Sequence, residues 1–91
     1  MNTPFILMAQ FGARAIIPID EVCREYFSHI DTLKLLRKIN SGEISLPLTR
    51  IESSQKSARG VHLQDLAEYI DKQRAAAVKE RDQLCGLQSR P

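Results

Sequence analysis

Apolar positions recur at changing intervals along the chain, and each change marks a boundary between elements. Residues Phe5 to Gln10 are an almost unbroken apolar run, which predicts a short strand or extended segment, with a helical turn as the alternative. Gly12 permits a turn, and Ala15 to Ile17 resume an apolar run that Pro18 closes, so this opening predicts a small hairpin. The next stretch is helical: Ile19, Val22, Cys23, Tyr26 and Phe27 fall at i, i+3, i+4, i+7 and i+8 and make one apolar stripe. Pro18 presets the backbone for a first turn, and Asp20 and Glu21 suit the positive helix N-terminus. Ser28 to Ile30 break the pattern as a tight turn. Asp31 is then an N-cap for a second helix over about 32–40. Its apolar residues Leu33, Leu35, Leu36 and Ile39 are expected to anchor one side, with Lys34, Arg37, Lys38 and Ser41 forming the opposite stripe. Gly42 supplies the stop.

Leu46-Pro47-Leu48 reads as extended, because the residue before a proline is driven out of the helical region. Leu48 to Ile51 predict a strand, Ser53 to Arg59 a polar, basic tip, and Gly60 to His62 a returning strand, giving a hairpin over about 48–62. From Leu63 the helical period returns through Leu66, Ala67 and Ile70, predicting a C-terminal helix over about 64–84, roughly 30 Å long. Leu63, Ile70, Ala77 and Leu84 recur every seven residues. The helix either folds back as a third core helix and frays beyond Arg74, or pairs with a second copy along that seam. Ala77 is a weak seam residue, and Arg74 and Arg81 interrupt it. A homodimer through Ile70, Ala77 and Leu84 is nevertheless the favoured expectation, since a helix this long exceeds what so small a core needs.

Size turns these elements into a fold class. A chain of 91 residues holds a single core, so residues 1–85 are expected to form one α+β, mainly α domain, with 86–91 as a frayed tail. An apolar fraction of 43% is that of a folded chain. No apolar run approaches the roughly 20 residues of a membrane span. The run Phe5–Ala9 lacks the basic front of a secretion signal, so a cytoplasmic location and no membrane partner are expected. Cys23 and Cys85 have no CxxC spacing and do not group with His29 and His62, which predicts two reduced thiols, no disulfide and no metal. A Gly-rich phosphate loop, a nucleophile elbow and an HExxH motif are all missing from the sequence. Cys23 and His29 would make a poor nucleophile–base pair with the thiol on an apolar stripe, so no catalytic residue, no cofactor and no enzymatic activity are expected.

Charge then singles out the middle of the chain. The net +2 is unremarkable, but Lys34, Arg37, Lys38, Arg50, Lys56 and Arg59 face only Glu43 and Glu52 between positions 34 and 59, a local balance of +4. Two helices joined by a tight turn, the second presenting cations, predict a helix-turn-helix, since a helix fits the major groove while its rear packs on its partner. Lys34, Lys38 and Ser41 are the expected DNA-facing residues, with Arg37 and Thr32 beside them. The donors Arg50, Ser53, Ser54, Gln55, Lys56, Ser57 and Arg59 make the hairpin a wing able to grip phosphates or a minor groove. A winged helix-turn-helix domain that binds double-stranded DNA is therefore expected, the rival reading being a helical adaptor for a protein partner whose basic loop is merely solvated.

One set of residues also resembles a known family. The run Ile17-Pro18-Ile19-Asp20-Glu21-Val22-Cys23-Arg24-Glu25-Tyr26-Phe27 is followed by Leu36-Arg37-Lys38, Gly42-Glu43-Ile44, Leu46-Pro47 and Ser54-Gln55-Lys56. Gly60-Val61-His62-Leu63-Gln64-Asp65-Leu66-Ala67-Glu68-Tyr69 closes the set, and Leu7-Met8-Ala9-Gln10 fits its opening. Together these look like the pyocin activator protein PrtN family over about residues 5 to 85. The resemblance implies a bacterial transcription activator that binds promoter elements ahead of genes for phage-tail-like bacteriocins. RNA polymerase is then a candidate partner, if activation works by contact rather than by DNA bending. The order of elements is also similar to that of phage excisionases, which implies as an alternative an architectural factor that bends DNA for a recombinase.

Overall fold

The computed structural model describes residues 2–52 and 59–86. Its elements run α1 (Thr3–Phe11), β1 (Ile16–Pro18), α2 (Ile19–Tyr26), α3 (Thr32–Asn40), β2 (Thr49–Arg50), β3 (Arg59–His62) and α4 (Leu63–Leu84). The fold is α+β and mainly helical, with one small antiparallel sheet in the order β1-β3-β2.

The N-terminal segment differs from the expected strand. Residues 5–10 lie inside α1, so the opening hairpin does not form, and β1 pairs instead with β3. The cause is local. The Asn2 side chain accepts from the Phe5 backbone N–H, Pro4 fits the first turn where its missing donor is not needed, and Gly12 ends the helix at φ +82°. Apolar residues surround the helix, so they carried no period to read. Thr3, Leu7 and Phe11, spaced four apart, are the ones it buries.

Around that helix the core collects Leu7 and Phe11 of α1, Ile17 of β1 and Ile19, Val22, Cys23 and Phe27 of α2 and its end. Leu35 of α3, Leu46, Val61 of β3, and Leu63, Leu66 and Ala67 of α4 complete it. The sheet depends on a close approach at Gly60. A Cβ there would lie 2.4 Å from the Ile17 carbonyl oxygen, so only glycine lets β3 lie against β1 at that rung. The Leu63 N–H donates to the Ala15 carbonyl at 2.8 Å and ties the start of α4 to the strand across the sheet.

Polar ties fix the helices to one another. Arg14 donates from Nε to the Phe11 carbonyl at 2.9 Å and through both terminal nitrogens to Glu21, bracing the end of α1 against the first turn of α2. The Thr3 hydroxyl donates to Asp71 at 2.6 Å and joins α1 to α4. The Tyr26 hydroxyl donates to Gln10, which donates in turn to Glu25. Cys23 does more than fill space, because its thiol lies 3.3 Å from the Ile30 carbonyl and 3.6 Å from that of Phe27, pinning the turn between α2 and α3.

The C-terminal helix is continuous over 22 residues, roughly 33 Å, and does not fray at Arg74. Leu63, Leu66 and Ala67 bury its first turns, and Tyr69 and Ile70 pack on the edge of the core. Its later turns are almost wholly exposed. The molecule measures 50 × 28 × 23 Å. Among the described residues, no helix is long and apolar enough to cross a membrane.

Candidate nucleic-acid interface

The local chemistry of α3 decides which way its side chains point. Asp31 Oδ1 accepts from the Lys34 backbone N–H at 2.8 Å and starts the helix. At the other end Gly42, at φ +82°, donates to the Ile39 carbonyl, while the Ile44 N–H donates to Lys38. Leu35 is completely buried, and Leu36 and Ile39 pack against the core beside it. These three residues fix the inward direction. At about 100° per residue, the opposite arc carries Leu33, Lys34, Arg37, Asn40 and Ser41, all exposed.

That arrangement redistributes the expected stripe. Lys34 and Arg37 lie outward, and Thr32 is half-buried at the first turn. Lys38 sits on the flank, its side chain only 27% exposed, with its ammonium 2.6 Å from Glu43 Oε2. It also borders a cleft of about 520 Å³ lined by Tyr26, Phe27, Tyr69 and Ile70. The Ser41 hydroxyl turns back to donate to the Lys38 carbonyl at 3.1 Å. Leu33 corrects the sequence reading: it was expected on the anchoring side, yet it is 62% exposed beside the cations. Three buried or half-buried neighbours set the helix direction and leave Leu33 at the margin of the apolar arc. Leu33 and Asn40 are thus outward residues that the sequence pattern did not single out. The azimuth of Leu35, Leu36 and Ile39 taken together was the signal for both.

The hairpin supplies a second cationic element. β2 and β3 pair antiparallel, Thr49 opposite Gly60 and Arg50 opposite Arg59. Arg50 is exposed and Arg59 half-buried. Ser53, Ser54, Gln55, Lys56 and Ser57 lie outside the described residues.

Along α4, the three seam residues have different surroundings. Ile70 is half-buried against the protein's own core, Ala77 is exposed, and Leu84 is 81% exposed.

Titration behaviour follows these contacts. The hydrogen bond from Lys38 holds the Glu43 carboxyl below the usual range, with the charges of Lys38 and Lys34 adding to it. The hydrogen bond from Arg14 does the same to Glu21. Burial pushes the Tyr26 hydroxyl up. Among the described residues, no three His, Cys, Asp or Glu side chains cluster as metal ligands would.

Compared with known proteins, the chain matches the family profile described as pyocin activator protein PrtN over residues 3–77. No curated protein and no solved structure matches it.

Proposed function

The chain belongs to the pyocin activator protein PrtN family, and from that premise we propose that it is a sequence-specific DNA-binding transcription activator of pyocin-type bacteriocin genes. The family is regulatory rather than enzymatic. We read α2 and α3 as a helix-turn-helix, α3 as its major-groove helix, and the β2–β3 hairpin as its wing. The observation that carries this reading is the outward face of α3, where Lys34 and Arg37 project from a short helix anchored from behind by Leu35. Such a helix can enter a groove about 12 Å wide without uncovering the core.

Lys34 and Arg37 donate to base edges or phosphates. Arg50 and Arg59 add a second grip at the hairpin, where two like charges in register favour an anion between or beside them. Thr32 and Ser41 lie at the two ends of the same helix, Lys38 lies on its flank, and Ser53, Ser54, Gln55, Lys56 and Ser57 extend the grip along the wing. The partner is promoter DNA in the bacterial cytoplasm, and RNA polymerase is the machinery acted upon. Two copies bind as a homodimer through the projecting part of α4, with Ala77 and Leu84 at the contact and Ile70 at its core-side end. Support comes from their seven-residue spacing and the exposure of the later turns.

Selection from random duplex DNA tests the proposal, followed by a reporter driven from a promoter carrying the enriched site. The expected result is a defined motif and transcription that rises when the protein is expressed. An architectural bending factor would enrich a site yet leave the reporter silent without a recombinase, and a protein adaptor would enrich nothing.

A further inference from the structure

We infer that Leu33 reads DNA sequence, by apolar contact with the 5-methyl group of a thymine in the major groove; this rests on the reading of α3 as the groove helix. A lone exposed leucine carries no meaning by itself, since apolar atoms make up much of any protein surface. Its seat gives it one. Leu33 is 62% exposed on the first turn of α3, while Leu35, two residues on, is completely buried and holds the helix in place. The core does not use Leu33.

Lys34 follows it directly, and Arg37 lies one turn further along the same arc. The N-terminal residues of a groove helix are those that reach base edges. Cations there donate to guanine O6 and N7 or to phosphates, and neither bond identifies a thymine. The groove's one apolar signal is the thymine methyl, and a branched aliphatic side chain beside two donors is complementary to it. A face carrying cations alone would bind phosphate and guanine without recognising the thymine methyl. Leu33 supplies the missing discrimination and, on contact, loses the water that now surrounds it.

Uracil differs from thymine only by that methyl, so single replacements test the contact. The duplex enriched from random DNA by the wild-type protein is synthesised with one thymine at a time changed to uracil. Each version is titrated with the wild type and with Leu33→Ala. At one thymine in the bound site, uracil should weaken wild-type binding about fourfold, the worth of one methyl-sized group removed from water. Leu33→Ala should bind the thymine duplex about as weakly, be indifferent to uracil at that position, and keep the wild-type salt dependence and melting temperature. A wild type indifferent to uracil at every position overturns the inference, as does a Leu33→Ala variant that remains as sensitive as the wild type. Both results leave DNA binding itself standing. Failure to enrich any duplex would instead remove the reading of α3 on which the inference depends.

Discussion

At the residue scale, exposure and pairing separate side chains that composition treats alike. Lys34, Arg37 and Lys38 are three cations within five positions, yet Lys38 alone is held by Glu43, at 2.6 Å. Glu43→Gln should therefore release a cation on the flank of α3. The log–log dependence of duplex affinity on salt should steepen by about one contact's worth, close to 0.9, without loss of thermal stability. An unchanged slope would mean that Lys38 cannot reach a phosphate even when free. The same ion pairs fix the sign of the acid response. Glu21 and Glu43 have folded-state pKa values below their unfolded ones, so their stabilisation is present above the ordinary carboxylate range, near 4.3, and is lost as pH falls through the lowered values. Arg14→Ala should lower neutral-pH stability only slightly, since the Arg14–Glu21 pair is partly exposed, and flatten the acid limb of a melting-temperature profile by the same small amount.

At the element scale, the helices beside Pro18 and Asp31 are legible in the sequence because each has a start signal followed by a periodic apolar stripe. α1 is not, because a run apolar on every side contains no period. The signs that mark it, Asn2 as cap and Pro4 in the first turn, lie just ahead of that run. The hairpin was legible from Pro47 and Gly60, whereas the third strand of the sheet was not, since β1 pairs with a segment more than forty residues away. Two substitutions probe this level. Gly60→Ala drives a Cβ into the Ile17 carbonyl and should cost about 2–3 kcal/mol in denaturant unfolding, an ordinary loop glycine costing far less. Leu35→Ala should cost about 2–5 kcal/mol by emptying a fully buried site, and Leu33→Ala less than about 0.5 kcal/mol, although both are leucines of one helix.

At the scale of the whole molecule, charge and shape divide the work. The core is built from every helix and from β1 and β3, while Lys34, Arg37 and Arg50 stay on its outside and α4 runs on beyond the packed region. Leu84→Asp should lower the association constant in sedimentation without lowering the melting temperature of the monomer, because the side chain is 81% exposed; equal association by both proteins would exclude the seam. The candidate groove face was legible as a basic helix but not in its true composition, because Lys38 turns to Glu43 and Leu33 takes an outward place only once Leu35 is seated. What that face does is decided by the salt dependence of binding to the enriched duplex. With Lys34, Arg37, Arg50 and Arg59 on phosphates, the log–log slope should lie near −4 and become shallower by about two in the Lys34→Ala/Arg37→Ala variant, with affinity falling sharply. Binding that ignores salt, or a double variant indistinguishable from the wild type, would contradict DNA recognition through α3.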